Sequence, residues 1–268
     1  MTAAGAPALP QTCYPAVWLW PGQALYAGPS LRLEPHSGAA WCLVVGADLE
    51  VTVTAGRQRI VARSVLIPPR TVHHLDTAGG RLVSCYLDPS SDRASGCQRR
   101  FRCSAGEFAT DHVDADALTR VPTDDDAAQR WLDLAAPASP RRLDPRIGDV
   151  LARIGSDAVD APSARSLATE LGVSESRFLH LFRGEAGTSL RQYRLWMRLI
   201  RAGVALSAGK NLTEAAVEAG FASPSHLADR FKATFGLTAS QLLGSGTVVR
   251  VPGGESSGVG PSHHEAPA

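Results

Sequence analysis

The chain has 268 residues, 44% hydrophobic and 20% charged, with 27 Lys and Arg against 26 Asp and Glu for a net charge of +1. That length suits two domains of ordinary size, and the composition is that of a globular protein rather than a disordered or fibrous one. No apolar run approaches the roughly 20 residues of a membrane span, so no membrane association is expected, and so small a net charge does not by itself argue for nucleic acid.

The first stretch, MTAAGAPALPQT, lacks the basic region and apolar core of a secretion signal. A cytoplasmic protein with a disordered segment over residues 1–12 is expected. From Ala16 to about Leu87 the pattern is that of short strands. AVWLW, WCLVV, LEVTVT, RQRIVA, SVLIP and RLVSCYL are apolar or alternating runs separated by Gly, Pro or Asp. Ala55-Gly56 predicts a hairpin turn between two of them. Short strands at this spacing predict a small barrel or sandwich. The cysteines Cys13, Cys42, Cys85, Cys97 and Cys103 are odd in number and lack CxxC spacing, which argues against a disulfide framework or a structural zinc. Cys42 and Cys85 sit in apolar runs and read as small core residues. Cys97 and Cys103 lie among Arg93, Arg99, Arg100 and Arg102, where a lowered thiol pKa and a redox role are a minor alternative.

Asp114 to Ala135 reads as helical, with Leu118 and Val121 before Pro122 and then Ala128, Trp131, Leu132 and Ala135. The TDDD run from Thr123 supplies a cap and three acids suited to a helix N-terminus. APASPRRLDP, from Ala136 to Pro145, has the prolines and small residues of a linker.

Beyond the linker the sequence repeats itself. Ser174, Phe178, Phe182, Arg183, Gly187 and Ser189 recur 49 residues later as Ser223, Leu227, Phe231, Lys232, Gly236 and Thr238. Each copy follows a small-residue segment ending in a glycine, Gly172 or Gly220. Ala168 in the first copy, and Ala215, Ala216 and Ala219 in the second, suit the close crossing of two helices. The glycines suit a positive-φ turn, and Ser174 and Ser223 suit helix caps. Pro224 stands at the first helical position, where its missing N–H costs nothing. Each copy predicts a helix-turn-helix; two ordinary helical hairpins are the bland alternative.

Between the copies, Leu190, Tyr193, Met197, Ile200 and Val204 mark the apolar face of a helix. Arg191, Arg194, Arg198 and Arg201 follow the same spacing one residue out of phase. From Arg177 to Arg201 there are six arginines and one acid, Glu185. Solvated helices normally mix signs, so a one-sign stripe fits phosphate contact. Regional charge agrees: residues 146–243 hold 12 basic and 9 acidic side chains, whereas residues 1–145 hold 14 and 15. The connecting helix would span roughly 25–30 Å, close to the spacing of about 34 Å between neighbouring major-groove faces.

SLATELGVSESRFLHLFRGEAGTSLRQYR and LTEAAVEAGFASPSHLADRFKATFGLTASQ together resemble the double helix-turn-helix domain of the AraC/XylS family of transcription regulators. The chain departs from the family pattern at Ala239, where proline is common, at Leu242-Leu243, where tyrosine-arginine is frequent, and at Asp229, where a base is common. By position, the resemblance offers Ser176, Arg177, His180 and Arg183 of the first recognition helix and Ser225, His226, Asp229 and Lys232 of the second to double-stranded DNA. Arg191, Arg194 and Arg198 join them as backbone contacts. Arginine at a base edge favours guanine and aspartate accepts from a cytosine amine, whereas Arg183 and Lys232, later on their helices, suit phosphates. The first head, richer in arginine, is expected to supply affinity and the second discrimination.

Upstream, HSGAAWCLVVGADLEVTV, SVLIPPRTVHHL and VSCYLDP resemble the cupin-like sensor domain of many AraC relatives. Cupin enzymes hold a metal with a His-x-His pair, but Ser37 and Gly38 follow His36, so neither metal nor cofactor is expected. A small-molecule effector inside the barrel, lined by His36, Trp41, His73 and His74, is the expectation. The fold class is thus α+β and multidomain: a small cupin-like barrel (13–112), helices and linker that either make a dimer contact or simply pack onto the barrel (113–145), an all-α domain with two helix-turn-helix motifs (146–243) and a disordered tail (244–268). The resemblance implies a homodimer, and RNA polymerase as a partner if the protein activates. A cupin-type metal-dependent enzyme and a protein-interaction adaptor are the alternatives to a non-enzymatic regulator.

Overall fold

The computed structural model describes residues 15–157 and 159–253. The expectation for residues 1–12 lies outside them. The first half runs β1 (Ala16–Trp20), β2 (Gln23–Pro29), β3 (Trp41–Gly46), β4 (Val51–Ala55), β5 (Gln58–Ala62), β6 (Ser64–Ile67), β7 (His74–Asp76) and β8 (Arg81–Leu87). It continues with α1 (Asp92–Gln98), β9 (Phe101–Ala105), β10 (Phe108–His112), α2 (Ala115–Leu118) and α3 (Asp125–Ala135). The second half is helical: α4 (Pro145–Ser156), α5 (Ala164–Glu170), α6 (Glu175–Ala186), α7 (Leu190–Ser207), α8 (Leu212–Glu218), α9 (Pro224–Phe235) and α10 (Ala239–Gly244), closed by β11 (Val248–Arg250).

The strands form an eight-stranded sheet, ordered β11-β1-β2-β8-β3-β6-β10-β9, and a three-stranded sheet, ordered β5-β4-β7. Central strand β3 shows why its sequence is apolar throughout. Alternate side chains point to opposite faces of a strand, and here both faces are covered. Leu43 and Val45 join Trp18, Leu25 and Trp131 beneath α3, while Cys42 and Val44 meet Val53, Ile60, Leu75 and Phe108 between the two sheets. The predicted hairpin is present: Gly56 turns β4 into β5 with φ +55°.

Helix α3 buries Ala128, Trp131, Leu132 and Ala135 against the large sheet, and its Trp131 indole donates to the Leu118 carbonyl at 2.9 Å. Of the two expectations for this segment, dimer contact and packing onto the barrel, the apolar face of α3 serves the second. Its N-cap is Asp124, which accepts from Ala127 N at 2.7 Å, one residue later than the Thr123 start of the TDDD run.

Two features correct the sequence reading. The segment expected to be a disordered tail from residue 244 instead returns to the β-rich domain, where Val248, Val249 and Arg250 pair in parallel with Ala16, Val17 and Trp18; the remainder, from residue 254, lies outside the described residues. Cys97 lies on α1 and is fully buried, and burial pushes its thiol up to about 12 rather than down. Cys42 is likewise pushed up to about 12.

The two halves share a core. Leu19, Ala24, Ala39 and Ala40 pack with Ile147, Phe178, Phe182 and Trp196, and the Trp196 indole donates to the Gly22 carbonyl at 3.0 Å.

Candidate nucleic-acid interface

The repeat seen in the sequence is a repeat of hydrogen bonds. In the first unit, α5 ends with Gly172 N donating to Thr169 O and Val173 N to Ala168 O, both at 3.0 Å. In the second, Gly220 N donates to Val217 O at 3.0 Å and Phe221 N to Ala216 O at 2.9 Å. Both glycines take the positive φ that the turn requires, +65° and +72°. Ala222 is the extra residue of the second turn. Ser174 then accepts from Arg177 N at 3.3 Å and Ser223 from His226 N at 3.1 Å, satisfying donors that a helix start leaves open. Gly187 and Gly236 end α6 and α9 in the left-handed conformation, at φ +68° and +78°.

These local devices decide what faces outward. Phe178, Phe182 and Ala186 turn α6 inward, leaving Ser176, Arg177, His180 and Arg183 exposed on its other side. On α9, Leu227 and Thr234 face the core and Ser225 and Asp229 are exposed. His226 is half-buried, edge-on to Phe221 with ring centroids 5.5 Å apart. Its Nε2 accepts from the Arg230 guanidinium at 3.3 Å. Arg230 was not singled out from the sequence. Its spacing of four from His226 was the available signal.

The two recognition helices are joined by the 18-residue α7, about 27 Å long. Between them lies a cleft whose walls include Leu179 of α6, Arg191, Arg194 and Arg198 of α7, and His226 and Arg230 of α9. The arginine stripe is thus divided in use. Arg191 is exposed, and Arg198 is half-buried on the cleft wall. The Arg194 guanidinium donates to the Pro162 carbonyl, which ties α7 to the segment before α5. Arg201 pairs with Asp157 at 3.6 Å.

Lys232 points elsewhere. Its ammonium lies 2.8 Å from the Glu34 carboxylate of the β-rich domain. Around that pair, Glu34 N donates to Gly236 O at 2.8 Å and Ser37 N to Ala233 O at 3.1 Å. The C-terminal end of the second recognition helix is therefore gripped by residues 34–37.

The four residues expected to line a ligand site do not converge. His36 and His73 are buried with ring centroids 4.4 Å apart, and each Nδ1 donates to a backbone carbonyl at 2.9 Å, of Glu34 and Thr71 respectively. Burial lowers both, His36 to about 4. His74 is exposed, and Trp41 packs toward the α3 side of the sheet. The space between the sheets is filled by aliphatic side chains and Phe108. Among the described residues no three His, Cys, Asp or Glu side chains group to hold a metal, and no helix is long and apolar enough to cross a membrane.

An apolar cavity of about 100 Å³ lies instead between the halves. Its floor is one face of the sheet: Val17 and Leu19 of β1, Ala24 and Tyr26 of β2, and Leu82, Ser84 and Tyr86 of β8. Its roof is Leu199, Ile200, Gly203 and Leu206 of α7, Phe231 and Phe235 of α9, and Leu242 and Leu243 of α10. Every roof residue belongs to the connecting helix or to the second unit and its flanking helix. Sequence reasoning missed this site because its walls meet only when the halves pack.

Comparison with known proteins agrees with this architecture. Residues 167–245 match a family model described as a helix-turn-helix domain. No curated protein sequence matches the chain. ToxT from Vibrio cholerae, in a P21 crystal form, is similar in fold with a TM-score of 0.52 at 12% identity, over 84% of this chain and 98% of that one. ToxT of strain SCE256 with bound unsaturated fatty acid gives 0.51 at 12% identity, over 86% and 92%. The DNA-binding domain of AdpA in complex with a target DNA is 22% identical over 37% of this chain and 91% of that one, with a TM-score of 0.35.

Proposed function

We propose that this chain, a DNA-binding transcription regulator whose C-terminal domain is an AraC-type helix-turn-helix domain, reads two neighbouring major grooves and is controlled by a small molecule held between its halves. The observation that carries the reading is the pair of units with matching turn bonds and caps, their outer faces exposed, mounted on one helix of about 27 Å. Ser176, Arg177 and His180 supply base contacts from the first head and Ser225 and Asp229 from the second. Arg183, Arg191, Arg198 and Arg230 supply phosphate contacts, and Lys232 joins them once released from Glu34.

Ligand control is placed at the cavity between the halves rather than inside the barrel. ToxT, of similar two-domain fold, has been solved with a fatty acid bound. In this chain the cavity is an apolar space whose walls come from both halves, so a ligand there bears on how they are held together. A ligand shifts an equilibrium only by its differential affinity for the two states, and a site shared by two domains has that property when they separate. We assign the protein no catalytic role and place it in the cytoplasm, with its DNA. The family resemblance further supports a homodimer, and contact with RNA polymerase if the protein activates.

Selection of bound DNA from a random pool, followed by binding measured against salt, tests the reading. The expected result is a site of two short motifs about one helical turn apart, with log affinity falling linearly with log salt. Binding that is absent, or independent of salt, would favour the protein-interaction adaptor instead.

A further inference from the structure

The cavity between the halves is more selective than its apolar character alone suggests. Resting on the reading that this is the effector site, we infer that it takes an uncharged, hydrocarbon-rich molecule with at most one hydroxyl or carbonyl group, and rejects the carboxylate form of an acid.

The lining contains no Lys, Arg or His and no acid; its polar side chains are the hydroxyls of Tyr26, Ser84 and Tyr86. Tyr26 donates its proton to the Pro29 carbonyl at 2.7 Å. Tyr86 is hydrogen-bonded to Cys42. That leaves Ser84, buried on β8 of the floor, as the lining hydroxyl without a partner among the described residues. One hydroxyl answers one polar atom of a ligand. It cannot replace the hydration of a carboxylate, which enters an apolar site only when paired. On α9, Lys232 beside Phe231 is already taken by Glu34 at 2.8 Å, and Arg230 on its other side bonds His226 at 3.3 Å.

Size makes the site coupled as well as selective. A dry apolar cavity of about 150 Å³ holds benzene, and this one is about 100 Å³. At Gly203 the roof is so close to the floor that a Cβ would lie 2.7 Å from Leu19 Cδ1. A ligand larger than a few carbons must therefore move α7 and α9 away from the sheet, which acts on the second head.

The test compares 1-hexanol with hexanoate, equal in chain length, on the full chain. Binding is followed by titration calorimetry, since the chain carries five tryptophans. At pH 8, hexanol should bind saturably and at least about tenfold more tightly than hexanoate, and the gap should close as the acid is protonated near pH 5. Leu242→Trp at the rim and Ala24→Leu on the floor, which fill the cavity from opposite sides, should each weaken hexanol. Hexanoate binding as tightly as hexanol at pH 8, with both variants blocking both probes, overturns the ligand class and leaves the site standing. Hexanol binding that neither variant weakens overturns the site itself. Saturable binding of neither probe to the unmodified protein overturns both.

Discussion

Glu34 and Lys232 form an ion pair of 2.8 Å across the boundary between the β-rich domain and the second recognition helix. The Glu34 side chain is 65% exposed and that of Lys232 44%, so the pair contributes no more than about 1 kcal/mol to stability. Its consequence is for DNA. A lysine proposed for phosphate contact is held by an internal carboxylate, in a segment that also bonds the last turn of α9 through Gly236 and Ala233. Glu34→Gln should free Lys232, raise affinity for DNA a few-fold and steepen the slope of log affinity against log salt by about 0.9, the value of one added phosphate contact. An unchanged slope would mean that Lys232 never reaches the backbone.

What the sequence revealed and what it hid follow from the range of the contacts. Ser174 and Ser223 cap helices by bonding three residues ahead, and Gly172 and Gly220 turn the chain for neighbours three to five residues away. Such contacts are written in spacing, and both heads were legible. Arg194 has the same periodicity as Arg191, yet its partner is the Pro162 carbonyl, supplied by a loop that no periodicity points to. Lys232 is held by Glu34, and the cavity joins β1, β2 and β8 to α7 and α9, across most of the chain. Val248 to Arg250 reads as too short and polar a context to order alone, and it orders because β1 offers a free edge.

Arg177 and Arg191 are both exposed arginines of the candidate interface, with different expected roles. Arg177 sits in the first turn of α6, the part proposed to reach base edges. Arg191 lies on the connecting helix. Arg177→Ala should cost about 1–3 kcal/mol on the selected site and relax discrimination at one base pair. Arg191→Ala should weaken binding to all sequences alike and reduce the salt slope by about 1. Competition binding with single-base variants of the site separates the two. If Arg177→Ala weakened every sequence equally, it would be a backbone contact.

Gly172 and Gly236 take similar positive φ values, +65° and +78°, in different surroundings. A Cβ at Gly172 meets nothing within 4 Å, whereas one at Gly236 would lie 2.5 Å from Glu34 O and 2.8 Å from His36 Nδ1. Gly172→Ala should cost only the left-handed penalty of about 1–2 kcal/mol. Gly236→Ala should cost more, and should also loosen the grip of residues 34–37 on α9. Denaturant titration gives the costs, and limited proteolysis of the 34–37 segment reports the loosening. Equal costs with equal protection would show that this segment does not hold the helix.

His36 ties that grip to pH. Burial first, then the charge of His73, lowers it from 6.5 to about 4, against the opposing effect of its bond to the Glu34 carbonyl. His74 also faces it unfavourably. A histidine lowered in the folded state binds its proton more readily when unfolded. Stability is therefore full above pH 6.5 and falls as pH drops toward 4, at up to about 1.4 kcal/mol per pH unit for each such group. His73 and His112 are also lowered and add to the loss. His36→Asn, whose amide can still donate to the Glu34 carbonyl, should flatten the fall in melting temperature between pH 6.5 and 4.5. An unchanged profile would assign the acid sensitivity to His73 and His112.

The cysteines should divide by burial rather than by the arginines near them in sequence. Cys42, Cys85 and Cys97 are buried, and burial raises all three thiols, whereas Cys103 is exposed on β9. The thiolate is the reacting species, so a raised pKa and a closed environment act in the same direction. In a Cys13→Ser background, since Cys13 lies outside the described residues, one thiol should react with an alkylating reagent at pH 8 in the native protein. Mass spectrometry of the digested product should place that label on Cys103. The other three should react only on the timescale of unfolding and all together in denaturant. Rapid native labelling of Cys97 would mean that α1 opens locally, and would restore the redox role that its burial argues against.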